Sequence, residues 1–128
     1  QYKSKVHNVR VVSVDLSKIE ANRLINDKFE TSLMGGFEYL GHTFDSDERS
    51  MQMITAAATI AATNSLPADF QWKTRNNTYV TMGNEVFTAF NEARFAFVND
   101  LFNLKEQQKA DLIPLGLLTH IQTFKDTL

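Results

Sequence analysis

The chain has 128 residues, a formal charge of −2, 43 % hydrophobic residues and no cysteine. That length accommodates one domain with its own core, and the composition argues against wholesale disorder, a disulfide framework or a thiolate zinc site. A mildly acidic chain without a Lys/Arg run is not built to neutralise nucleic-acid phosphates, and no apolar run approaches the ~20 residues of a membrane span or forms a secretory h-region. The expected partners therefore include no nucleic acid and no membrane.

Residues 5–14 contain Val6, Val9, Val11, Val12 and Val14, a density of β-branched side chains that predicts a strand. Ser17 and Glu20 form a capping-box pair, predicting a helix over 18–32 with Ile25, Phe29 and Leu33 along one face. Gly35 and Gly36 end it, because a helix exit commonly needs a positive φ. The spacing of Phe37, Tyr39 and Phe44 around Gly41 predicts a tight hairpin over 37–44. At Asp45-Ser46-Asp47-Glu48 several caps compete: Asp45 with Glu48 fits a capping box, and Ser46 or Asp47 serves equally. An alanine-rich helix over 51–63 follows.

Two further strands, 70–74 and 79–82, are joined by Arg75-Asn76-Asn77-Thr78, where Asn tolerates positive φ. Phe70 and Trp72 share one face. The longest predicted helix covers 85–109. Five of the ten Phe lie between positions 87 and 102. Val86, Phe90, Ala93, Phe97, Leu101 and Leu104 form one stripe; Phe87, Phe95, Val98 and Phe102 form a second, roughly 120° around the axis. An arc this wide suits two arrangements. Either the helix is buried on both sides within its own domain, or Phe87, Phe95, Val98 and Phe102 pack on a second subunit. Leu117, Ile121, Phe124 and Leu128 then mark a short C-terminal helix. The expected fold class is α+β: small antiparallel β-hairpins packed with an Ala-rich helix, a long Phe-rich helix and a short C-terminal helix. Residues 1–16 are read as a strand and junction segment, and 17–128 as a single domain. Because the sequence begins with Gln1, it reads as a fragment or a processed product.

Catalytic signals are sparse. His42 beside Asp45, Asp47 and Glu48 has the residue types of a metal or acid–base cluster, but lacks the donor spacing of a calcium loop, and helix capping accounts for the acids more simply. His7 and His120 belong to no metal-ligand pattern. Neither a nucleophile elbow nor a phosphate loop occurs. Trp72, on an alternating strand beside Phe70, is read as core. No catalytic, metal or cofactor residue is assigned, and no cofactor is expected.

Gly35-Gly36-Phe37, Gly41, Asp45-Ser46-Asp47 through Ser50, Ile54-Thr55-Ala56-Ala57, Trp72-Lys73-Thr74, Tyr79-Val80-Thr81-Met82 and the helix carrying Phe97, Val98 and Phe102 together resemble one family. It is described only as a domain of unknown function and recurs in tailed phages and prophages among tail and tail-fibre proteins. The resemblance covers residues 29–111 and rests on Gly36, Gly41, Asp45, Ser46, Asp47 and Trp72 as structural signatures. Arg49 stands where the family tends to place an acid. What the resemblance implies is a non-enzymatic phage tail structural protein acting through protein–protein contacts. It would be oligomeric, bound to other tail or fibre proteins, and located in the virion tail after assembly in the host cytoplasm. The alternative is a tail-fibre assembly chaperone absent from the mature virion. A polar cleft joining His42, Asp45 and Asp47 would instead favour an enzyme.

Overall fold

The computed structural model describes residues 2–128, with side chains from Ser13 onward. Its elements are α1 (Tyr2–Leu33), β1 (Phe37–Tyr39), β2 (His42–Phe44), α2 (Glu48–Ala62), β3 (Gln71–Lys73), β4 (Tyr79–Thr81), α3 (Asn84–Leu112) and α4 (Leu118–Asp126). The class is α+β, with four helices and two two-stranded antiparallel sheets among the described residues. The chain divides into two compact units, one of residues Thr31–Leu101 and one of Gln1–Glu30 with Phe102–Leu128.

The predicted strand over 5–14 is corrected: these residues belong to helix α1. No Gly or Pro interrupts residues 2–33, and each Val disfavours helix by no more than about 0.7 kcal/mol relative to Ala. A strand also needs a neighbour, and among the described residues the strands pair as β1–β2 and β3–β4. The same correction removes Ser17 as a cap, since α1 runs through it. The predicted exit stands, with Gly36 at φ 91°.

In the Thr31–Leu101 unit, β1 and β2 pair Phe37 with Phe44 and Tyr39 with His42. The loop between them, Leu40 (φ 52°) and Gly41 (φ 75°), has the two positive φ values that match the twist of a two-residue hairpin. β3 and β4 pair Trp72 with Val80, and Asn77 takes φ 64° in their loop. Alternation turns Phe37, Phe44, Trp72 and Val80 inward against α2 and α3. Their core joins Phe37, Phe44, Ile54, Ala58, Ala61, Leu66, Met82, Phe87 and Phe90. Phe90 is its hub: its ring centre lies 4.7 Å from Phe44 (edge-on) and 5.3 Å from Phe37 (stacked). Ala58 and Ala61 give α2 a low surface on the side where it meets these rings.

The other unit is helical. Ala21, Ile25, Leu112 and Ile121 form its buried core, with Val14, Leu115, Phe124 and Leu128 packed around them. Lys125 Nζ lies 3.2 Å from Glu20 Oε2, and Lys105 Nζ sits 4.3 Å from the ring centre of Phe29 and 4.8 Å from that of Phe102.

Candidate functional site

The signature stretch predicted from sequence converges on a residue that sequence reasoning did not single out. Arg75 occupies the β3–β4 loop. Its backbone N–H donates to Thr43 O at 2.8 Å, Nε donates to Asp45 Oδ1 at 3.1 Å, and Nη2 donates to Met34 O at 3.0 Å. Nη1 donates to Gly35 O. One guanidinium therefore ties the exit of α1 and the end of β2 to the second hairpin. Its partners lie 30 to 41 residues away in sequence, and a lone Arg in a turn carries no periodic signal of such contacts.

Gly36 makes that approach possible. A Cβ there would lie 2.9 Å from Arg75 Nη1, 2.9 Å from Thr43 Cγ2 and 3.0 Å from Phe44 O. Ser46 is buried behind it; its Oγ accepts the Gly36 N–H at 2.7 Å and donates to Leu33 O. The three competing caps thus take three roles. Asp47 is the N-cap of α2, accepting Ser50 N–H at 3.4 Å and the Ser50 hydroxyl. Asp45 faces Arg75, and Ser46 seals the α1 exit. The Ser50 hydroxyl bond holds the Asp47 carboxyl below its ordinary pKa, and partial burial opposes the effect.

The remaining predicted site residues separate. Gly41 is exposed in its hairpin turn with nothing near a Cβ. Trp72 is half-buried, 5.1 Å from the Phe87 ring centre. Phe87 is fully buried in the core of its own unit, which takes it out of the proposed subunit face. Phe95 is 61 % exposed and Phe102 also points to solvent, while Val98 is half-buried. Beside Phe95, Arg94 is half-buried, donates Nε to Asn91 Oδ1 at 2.9 Å, and has its pKa lowered by burial.

His42 is exposed and packs edge-on near Phe44, 6.4 Å between ring centres. Asp45 and Asp47 engage Arg75 and Ser50 rather than His42. Among the described residues no three His, Asp or Glu groups are placed to hold a metal, and no helix is long and apolar enough to cross a membrane. A shallow hollow of about 320 Å³ lies over Asp45, Ser50, Met53, Trp72, Lys73 and Tyr79. It is a mixed surface without a paired acid and base.

These features describe an α+β chain in which Arg75, Asp45, Ser46 and Asp47 are engaged by its own elements. The sequence over residues 17–125 matches the family described as a domain of unknown function (DUF4376), and the chain belongs to that family. No curated protein and no solved structure matches the chain.

Proposed function

We propose that the chain is a non-enzymatic bacteriophage tail structural protein, associated with tail, baseplate or fibre and acting through protein–protein contacts. The placement in a phage tail rests on the resemblance carried by Gly35-Gly36-Phe37, Asp45 through Ser50 and Trp72-Lys73-Thr74. The contact role rests on one structural observation. Among the described residues of the helical unit, Leu16, Ile19, Phe102, Leu104, Ile113, Leu117 and Leu118 are exposed, around a buried core of Ala21, Ile25, Leu112 and Ile121. A unit that exposes more large apolar side chains than it buries is suited to being covered by other chains. The uses of Asp45, Ser46 and Asp47 within the fold support the non-enzymatic part of the reading.

In this role the protein self-associates and joins other tail or fibre proteins, passing from the host cytoplasm into the virion. Quantitative mass spectrometry of purified particles tests this. Several copies per particle are expected. Abundance in infected cells with absence from particles would turn the assignment to the fibre-assembly chaperone.

A further inference from the structure

The two units carry opposite formal charge. Gln1–Glu30 with Phe102–Leu128 holds nine Lys and Arg against seven Asp and Glu, giving +2; Thr31–Leu101 holds four against eight, giving −4. Two concave surfaces concentrate this difference. On the helical unit, a hollow of about 390 Å³ is lined by Lys18, Asn22, Lys109, Leu112 and Ile113, with two ammonium groups and no carboxylate. Lys18 Nζ donates to Ile113 O at 2.8 Å, holding the cation beside an isoleucine that is 76 % exposed.

On the other unit, a groove of about 620 Å³ runs along the end of α2 and the start of α3. Ala61, Ala62, Ala89 and Thr88 leave it without bulk, and Glu85 and Glu92 supply two carboxylates and no cation opposes them there. Seven residues apart on α3, these two acids share a helix face and are separated by about 10 Å along the axis. The ion pairs among the described residues are Arg75–Asp45 and Lys125–Glu20. Lys18, Lys109, Glu85 and Glu92 thus have no opposite charge paired with them among the described residues.

We propose that these two surfaces bind each other between copies of the chain. The Lys18–Lys109 hollow of one copy docks on the Glu85–Glu92 groove of the next, and Ile113 lies over the alanine floor. The occupant is a second copy because each surface carries what the other lacks: cations and a protruding apolar side chain on one, carboxylates and a low apolar floor on the other. Pairing either surface with its own duplicate would set like charges together, which opposes a two-fold dimer through it. Contact between two different surfaces is either made twice, reciprocally, across a two-fold axis or made once per copy, in which case it propagates until the copies close into a ring or extend as a filament. The inference deepens the self-association proposed above and rests on it.

Sedimentation velocity of the full chain tests the pairing. Wild-type protein is expected to form oligomers that weaken at least tenfold between about 0.05 M and about 0.5 M salt, as screening of partly exposed charges requires. Lys18→Glu with Lys109→Glu, and separately Glu85→Lys with Glu92→Lys, are each expected to sediment as monomers with wild-type circular dichroism. Mixed in equal amounts, the two variants carry opposite charges at both contacts and are expected to co-assemble to the size of the wild-type oligomer, which neither reaches alone. Combining all four substitutions in one chain is expected to restore assembly. Lys109→Glu alone keeps the Lys18–Ile113 bond and serves if the paired lysine variant fails to fold; its expected effect is a tenfold loss of association. A wild-type chain monomeric at every concentration overturns both self-association and this pairing. Oligomers indifferent to both charge reversals, or folded variants that do not combine on mixing, overturn the pairing and leave self-association standing. Virion mass spectrometry decides the tail assignment independently of all these outcomes.

Discussion

Gly36 and Arg75 are fitted to one another: a Cβ on Gly36 would stand 2.9 Å from Arg75 Nη1, with Phe44 O at 3.0 Å on another side. Gly36 also holds φ at 91°, a region L side chains avoid. Gly36→Ala therefore combines backbone strain with displacement of the guanidinium, and is expected to cost about 2 kcal/mol or more in chemical denaturation. Gly41→Ala, at φ 75° with open space around it, bears only the backbone cost of about 1–2 kcal/mol. Equal losses at the two sites would remove the packing argument.

Arg75 itself separates into an exposed ion pair and two carbonyl contacts. Asp45→Ala removes an ion pair in which both side chains are well exposed, a change worth about 1 kcal/mol at most. Arg75→Ala also strips donors from Gly35 O and Met34 O and is expected to cost about 1 kcal/mol more than Asp45→Ala. Arg75→Lys, with a point charge in place of a planar fork, is expected to recover only part of the loss. A double-mutant cycle measures the pair's share directly.

Ser46 stands behind the same junction as an obligatory hydrogen-bond partner. Ser46→Ala would leave the Gly36 N–H without its acceptor in a nearly water-free position. The expected loss is about 1–3 kcal/mol. Hydrogen exchange should localise it, with the Gly36 amide losing protection ahead of the α2 amides. A uniform loss across the unit would contradict a local role.

Asp47 makes stability pH-dependent in a defined direction. Its folded-state pKa lies below the ordinary carboxylate value, so the unfolded chain takes up the proton first as pH falls. The cap contribution is thus complete at neutral pH and is lost as pH drops through the unfolded value, near 3.9, towards the lowered folded value. Asn caps a helix about as well as Asp but does not titrate. Between about pH 5 and about pH 3, Asp47→Asn should lose less stability than wild type. Asp47→Ala should lose about 1 kcal/mol at neutral pH. Parallel curves for wild type and Asp47→Asn would mean that the carboxylate is not the titrating cap.

The two phenylalanines Phe87 and Phe95 allow a direct comparison on α3. Phe87→Ala empties a site walled by Phe70, Trp72 and Phe90 and is expected to cost about 3–5 kcal/mol. Phe95→Ala should change stability by no more than about 0.5 kcal/mol, as expected for an exposed site. If sedimentation shows Phe95→Ala weakening self-association, the exposed side of α3 also contributes to assembly.

Much of the local architecture is legible in the sequence because its determinants act over a few residues. The Gly35-Gly36 exit, the Gly41 hairpin turn, the Asn-bearing loop before β4 and a capped start to α2 all follow from φ preferences and side-chain-to-backbone bonds nearby. The amphipathic spacing around Ile121 likewise placed α4. The valines of residues 5–14 misled, since β propensity describes a fit to neighbouring strands and none of the described strands pairs with them.

Tertiary structure decided the rest, through contacts between residues far apart in the chain. Three local caps were equivalent in sequence until Arg75 engaged Asp45 and the α1 exit engaged Ser46, leaving Asp47 to start α2. The Phe-rich stripes of α3 were likewise equivalent by periodicity, but the two hairpins and α2 cover Phe87 and Phe90 and leave Phe95 outside. Periodicity reports that a helix has an apolar side; which of those side chains loses its water depends on what packs over it. In this protein, therefore, the sequence by itself determined where the chain turns and where α1 ends and α2 begins, but not where α1 begins. The packing of distant elements determined which side chains became core, latch or exposed surface.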